Sequence, residues 1–296
     1  MIVVFGSINL DLIFPLPRIP APGETVLAPE LAIAPGGKGA NQACAAARDG
    51  ARVVMAGAVG GDALATDALR LLRAAGADLS RVRTVEAVTG TAAIFVAPDG
   101  QNAIGVGSGA NLHARAAQVE DALLGPHTTL LLQMEVPVVE NVALIRRARR
   151  RGARILLNLA PAADLPRDAL TALDVLVANE TEAAFLAGRL GGAADAAALS
   201  RALGIDVVRT LGGAGSEYSG RDGMLRLPAH PVSVVDTTAA GDCFCGVLAA
   251  ALDRGLPMSA ALRRATVAAA LACARRGTQN SLPLASETDA EISRTA

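Results

Sequence analysis

A chain of 296 residues, 52% of them hydrophobic, can bury a substantial core and is not a disordered polymer. With 2% aromatic residues, no Trp and a formal net charge of −1, it offers neither a base-stacking surface nor a cationic nucleic-acid footprint. No uninterrupted apolar stretch is long enough to span a bilayer, and "MIVVFGSINLD" reads as a buried strand rather than a signal peptide, so a cytoplasmic protein without membrane or nucleic-acid partners is expected.

In chain order, the first apolar run is "IVVFG" (2–6), followed by Asn9 and Asp11. Residues 11–35 are rich in Pro and break into short alternating segments. "APGGKGANQACAAA" (34–47) follows, in which Gly36, Gly37 and Gly39 let the backbone approach a ligand and Lys38 and Asn41 add donors before an Ala-rich helix. It is not a P-loop, because Lys38 is followed by Gly39 rather than Ser or Thr. After the run "RVVMAGAVG" (52–60), residues 89–107 read as a hairpin turning at Pro98-Asp99-Gly100. The insertions at about 11–35 and 89–107 are expected to form a small β lid over one edge of the main sheet, with ordinary edge hairpins as the alternative.

Four further runs follow: "TLLLQME" (129–135), "RILLNLA" (154–160), "DVLVANE" (174–180) and "DVVRTLG" (206–212). Helices are predicted at 137–151, 241–254 and 259–275. The basic "RRARRRG" (146–152) is read as the solvated end of the first of these, where positive charge complements the helix dipole. Continuous apolar runs alternating with helices predict an α/β fold, a three-layer sandwich around a mostly parallel sheet. Glu135, Asn158, Asn179, Glu182 and Thr210 fall where runs stop, as do Asn9 and Asp11, so they should converge at the sheet's carboxyl rim. Asn179 taken alone could be a helix N-cap, but the shared position of the set fits that explanation less well.

The segment "VVDTTAAGDCFCGVL" (234–248) places small residues at the mouth of a helix. Amides there can meet an anion, the dipole adds positive potential, and Gly241 permits a tight turn. Asp242 beside an anion suits a proton acceptor, although N-capping fits its spacing equally well. Cys44, Cys243, Cys245 and Cys273 lie among alanines as small apolar fillers, and His113, His127 and His230 have no metal-ligand spacing. "GSINLD" lacks a dinucleotide fingerprint, which removes the main support for a hydride-transfer enzyme.

The motifs "GSINLD", "GGKGANQA", "QMEVP", "NLAPA", "NETEA", "TLGGAG", "DTTAAGD" and "RRGTQNS" occur in the order seen in the ribokinase-like, or phosphofructokinase-B, family of sugar kinases, and the chain resembles that family from Gly6 to about Pro283. The resemblance implies a single α/β kinase domain over 1–296 that transfers the ATP γ-phosphate to the primary O5 hydroxyl of D-ribose. Other acceptors (deoxyribose, a ketohexose, a sugar acid or a nucleoside) are the alternative, and a non-catalytic sensor a further one. Carried over by motif, Asn9, Asp11, Gly37, Lys38, Gly39, Asn41 and Glu135 would hold the sugar, and Asp242 would be the base. Ala239, Ala240 and Gly241 would form the anion hole, with Ala239 standing where glycine is common. Asn179, Thr210, Gly212, Gly215, Gly241 and Thr266 would line the nucleotide, Thr266 standing where a longer His or Asn often meets adenine. Asn179 and Glu182 would hold Mg²⁺, mostly through water. Asp236, Thr238, Ala272, Arg275, Gly277 and Ser281 would surround K⁺, with Asp236 at the end of a strand as the plainer reading. Exposed lid edges would pair into a homodimer.

Overall fold

The structure, a computed structural model, describes residues 1–98 and 101–295. Among these residues the strands form two sheets. The large one contains β1 (Ile2–Phe5), β4 (Val53–Gly60), β5 (Asp78–Val85), β8 (Thr129–Leu132), β9 (Arg154–Asn158), β10 (Val175–Asn179), β11 (Asp206–Thr210), β12 (Ser216–Gly220) and β13 (Gly223–Leu227). Their order across the sheet is β13-β12-β11-β10-β9-β8-β1-β4-β5, parallel from β11 to β5 and antiparallel in the β11–β12–β13 meander.

Alternation along each strand builds two cores. Ile2 and Val4 face a cluster with α1 (Lys38–Arg48), α2 (Ala63–Ala74), α7 (Ala240–Asp253) and α8 (Met258–Cys273). Val3 and Phe5 face the other side, with α3 (Val138–Arg151), α4 (Arg167–Leu170), α5 (Glu180–Leu190) and α6 (Ala196–Leu203). Since both faces are covered, the central strands are buried along nearly their whole length, which is why they read as unbroken apolar runs. The predicted three-layer α/β sandwich is what the chain adopts. Among the described residues no helix is long and apolar enough to cross a membrane.

The segments at 11–35 and 89–107 contribute β2 (Asn9–Pro15), β3 (Ala32–Gly36), β6 (Gly90–Val96) and β7 (Asn102–Gly107) to the second sheet, ordered β3-β2-β6-β7. Of the turn expected at Pro98-Asp99-Gly100, Asp99 and Gly100 lie outside the described residues. Residues 228–239 contain no strand, so the reading of Asp236 as a strand end is corrected: it sits in an irregular segment tied to the end of α8 by Val235 and Asp236 N–H groups, both donating to the Cys273 carbonyl.

Two helices meet where the carboxyl rim opens. Gly246 of α7 faces α1 so closely that a Cβ there would lie 2.4 Å from the Gln42 carbonyl oxygen and 2.7 Å from the Ala45 Cβ. Backbone contact at this point brings the start of α1 against the start of α7. At the α1 end, Gly37 holds a left-handed φ of 86°, which turns the chain out of β3 into the helix.

Candidate active site

Asp242, in the first turn of α7, is buried. Its Oδ2 accepts from Asn41 Nδ2 and its Oδ1 from Gln42 Nε2, each at 2.9 Å. The side chain therefore points toward α1 and does not cap its own helix; the N-cap, Ala239, makes no side-chain hydrogen bond. Of the two roles left open for Asp242, N-capping is set aside by this geometry.

Ala239 adopts φ 60°, the one left-handed non-glycine residue among those described, a conformation that glycine adopts at less steric cost. The helix start it forms leaves the amides of Ala240, Gly241 and Asp242 without an i−4 partner; the first such bond runs from Cys243 N to Ala239 O at 2.8 Å. The Ala240 N–H turns back to the Thr237 carbonyl at 3.2 Å. Gly241 is exposed toward the cavity that Asp242, Ala239 and Ala240 also line.

That cavity, of about 240 Å³, is also lined by Lys38, Asn158, Asn179, Glu182 and Thr210. It continues into a more apolar pocket of about 410 Å³, lined by Asn179, Thr210, Gly212, Gly215, Gly241, Phe244 and Thr266 among others. All six residues assigned to the nucleotide thus face one groove, and Thr266 Oγ1 is buried there without a partner. Asn179 and Glu182 form a reciprocal capping box at α5: Glu182 N donates to Asn179 Oδ1 at 2.9 Å and Asn179 N to Glu182 Oε2 at 2.8 Å. The helix-cap reading of Asn179 is therefore a structural fact.

On the other side, Asn9 and Glu135 line a separate pocket with Ser108 and Asn111. Asn111 was not singled out from the sequence, yet it fixes Asn9. Its Nδ2 donates to Asn9 Oδ1 at 2.7 Å while its Oδ1 accepts from Ile8 N at 2.9 Å, leaving the Asn9 amide nitrogen as the free donor. No short-range signal could have revealed this, because the partners are 102 residues apart. Glu135 Oε2 accepts from Ser7 Oγ at 2.6 Å and from Lys38 N at 3.0 Å, so it also serves the start of α1. Asn41 is turned onto Asp242, and Gly37 and Gly39 are buried beneath the cleft.

Charge in this region is unbalanced. Burial first, then Glu135 and Asp242, push the Asp11 carboxyl up to about 7 against the pull of Lys38. The Lys38 amine is held above its ordinary range, chiefly by Asp242, against the effect of its burial. Glu182 is also raised, mainly by burial, despite the Asn179 N–H and Lys38.

The residues expected around K⁺ fall into two groups. Asp236 Oδ1 accepts from Thr238 N at 2.9 Å and Thr238 Oγ1 at 2.6 Å, and its Oδ2 accepts from Gly277 N at 2.9 Å. These bonds hold its carboxyl below the usual range although burial acts the other way. The other three make contacts of their own: the Ala272 carbonyl accepts from Arg275 N, the Arg275 side chain pairs with Glu287, and Ser281 Oγ donates to the Thr278 carbonyl.

Helices on both faces of a mostly parallel sheet, with a helix start and a carboxylate facing a cleft at its rim, are the layout of an α/β kinase of small metabolites. The family is specific: residues 1–285 match the model described as pfkB family carbohydrate kinase, and the chain belongs to that family. It is 37% identical to a ribokinase from Haemophilus influenzae, over 97% of this chain and 96% of that one. A deoxyribokinase from Salmonella typhi is 35% identical over 95% of each chain. Among solved structures, an Arabidopsis thaliana ribokinase complexed with ribose and ATP superimposes with a TM-score of 0.87 at 30% identity, covering 98% of both chains.

Proposed function

We propose that this chain is an ATP-dependent kinase that phosphorylates O5 of D-ribose, giving ribose 5-phosphate and ADP. The observation that carries the reading is the position of Asp242. It stands beside the first amides of α7, in a cavity that joins the Thr266-lined groove, while Lys38 links this cavity to the Glu135 side. ATP would lie in the groove and the sugar against Asn9, Asp11, Lys38, Asn41 and Glu135, whose carboxylates and amides match a polyol that both donates and accepts. Asp242 takes the proton of O5 as O5 attacks the γ-phosphorus and the bond to the ADP oxygen breaks in line. The helix-start amides of Gly241 and Asp242 meet the transferring oxygens without reorganising. The small sheet, which carries Asn9 and Asp11 on β2, acts as a lid that keeps water from the phosphoryl group.

The donor set suits cations. Asp11, Glu135, Glu182 and Asp242 share the region with one lysine; burial raises the Asp11 and Glu182 carboxyls, and Glu135 and Asp242 add to the rise at Asp11. Asn179 and Glu182 would hold Mg²⁺ through water, and the ion would neutralise phosphate charge when bound. Asp236, ionised and tied to Thr238 and Gly277, would anchor K⁺ with neighbouring carbonyls of Ala272, Arg275 and Ser281, steadying the turn before α7. We also place the chain in the cytoplasm, on its free thiols. As a homodimer it would pair through its lid, whose edge strands expose Ile33, Ile104 and Val106.

A second acceptor is favoured by the deoxyribokinase relative. A coupled ADP-release assay across ribose, deoxyribose, ketohexoses, sugar acids and nucleosides decides between them. Ribose is expected to give the highest kcat/KM, and turnover in K⁺ to exceed that in Na⁺. Preference for deoxyribose would move the assignment to that sugar, and binding without turnover would make the chain a sensor.

A further inference from the structure

We propose that Gln42, Gln133 and Gln279 are positioning residues, which fix the Asp242 carboxylate in the orientation that receives the substrate proton. The proposal rests on the reading of Asp242 as the base.

Three of the motifs named above, "GGKGANQA", "QMEVP" and "RRGTQNS", each contain a glutamine to which the sugar, nucleotide and cation assignments give no role. All three side chains are fully buried, and all three converge behind Asp242. They form two amide chains. In one, Gln133 Nε2 donates to Gln42 Oε1 at 2.7 Å, and Gln42 Nε2 donates to Asp242 Oδ1 at 2.9 Å. In the other, Gln279 Nε2 donates to Asn41 Oδ1 at 3.2 Å, and Asn41 Nδ2 donates to Asp242 Oδ2 at 2.9 Å.

The polarity of both chains follows from the carboxylate. An ionised carboxylate only accepts, so each inner amide must present its nitrogen to Asp242 and its oxygen away from it. The outer glutamine meets that oxygen with an N–H. Flipping an inner amide would set carbonyl against carboxylate at one end and leave nitrogen facing nitrogen at the other. Each inner amide is thereby held in one of its two orientations, and Asp242 cannot rotate without breaking two charge-assisted hydrogen bonds. The lone pairs left over keep a fixed direction.

The outer ends reveal what this arrangement costs. Gln133 Oε1 and Gln279 Oε1 are both buried with no hydrogen-bond partner. A core selected for stability alone would fill such positions with apolar side chains of similar volume, since an unpartnered buried carbonyl is destabilising. The same unpaired oxygen at the far end of both chains marks them as built for their inner ends.

Gln42→Met and Gln133→Met remove the donors while keeping side-chain volume. The groups that also act on Asp242 (Asp11, Lys38, Glu182, Cys243 and Cys245) are unchanged in both. Measured by ADP release at saturating ribose and MgATP, Gln42→Met is expected to lower kcat about 10- to 100-fold and Gln133→Met about 3- to 10-fold. Both KM values should stay within about twofold, and the acid limb of the kcat–pH profile should move upward by about half a unit or more in Gln42→Met, where the carboxylate loses a donor, and by less in Gln133→Met, where the Gln42 donor stays but loses its anchor. In an Asp242→Asn background, adding Gln133→Met should change the residual rate no further. Gln133→Met, one residue removed from the carboxylate, and Gln279→Met in the second chain carry the test if Gln42→Met does not fold. An unmoved acid limb, with kcat falling only as the folded fraction falls, overturns the proposal. Near-full turnover by Asp242→Asn alone would instead remove the base reading beneath it.

Discussion

Asp11 shows how a single buried residue links site charge to stability. Its carboxyl titrates near 7 in the fold, against an ordinary value of 3.8, because it is buried beside Glu135 and Asp242. Between about pH 4 and 7 the unfolded chain has released this proton while the folded chain keeps it, so stability falls as pH rises through that window, at up to about 1.4 kcal/mol per pH unit. Asp11→Asn should flatten this decline, read as the difference in urea-unfolding free energy between pH 5 and pH 7. An identical pH slope in the two proteins would show that Asp11 is not the titrating group. The residue types here were visible in the sequence, because polar side chains at the ends of apolar runs stand out. Their partners were not. Asn111 reaches Asn9 across 102 residues, and Asn41 and Gln42 reach Asp242 across 201 and 200, and nothing local encodes those distances.

At the scale of elements, the contact between α1 and α7 does the positioning. Gly246 lies one helical turn after Asp242, and its missing side chain lets the Gln42 backbone approach. Gly246→Ala gains helix propensity but drives a Cβ into the facing helix, at a cost of about 1–3 kcal/mol. It should also lower kcat by about 10- to 100-fold by moving Asn41 and Gln42 from the carboxylate. KM for ATP should change less than kcat, since Thr210, Gly212 and Gly215 lie on other elements and only part of the groove, Gly241 and Phe244 included, is on α7. Thermal unfolding and steady-state kinetics on one preparation test both halves, and unchanged kcat would contradict the positioning. The strands whose two faces are covered, β1, β4 and β8 to β11, were readable as apolar runs. β5, β12 and β13 were not, because they lie at or near the sheet's edges: β5 and β13 mix exposed with partly buried residues, Asp78, Arg81 and Arg83 among them, and β12 alternates buried Ser216 and Tyr218 with partly buried neighbours. A half-wet strand carrying charge looks like a loop to any reading based on continuous hydrophobicity.

For the molecule as a whole, one ion-pair network gathers the helices behind the site. Asp49, just beyond α1, is 2% exposed and accepts from Arg264 Nη2 at 2.7 Å and from Arg254 Nη2 at 2.6 Å. Arg264 also pairs with Asp289 on α9 (Ala285–Arg294), so α1, the end of α7, α8 and α9 share one cluster. Arg264→Met leaves a buried carboxylate with a single partner and should cost about 3 kcal/mol in urea unfolding, with KM values unchanged. A loss within about 0.5 kcal/mol, the level of a surface pair, would show that the cluster contributes little. The sandwich itself was foreseeable from strand–helix alternation, whereas the sheet order was not, because it depends on where each crossover returns. All of this scaffolding serves one arrangement at the rim, a carboxylate and a helix start between two pockets. The most direct test is Asp242→Asn, assayed for ribose-dependent ADP release, with calorimetric titration of ribose and of an ATP analogue. The variant is expected to bind both ligands while kcat falls by about 10²–10⁴. Turnover within about twofold of the unmodified protein would contradict the account.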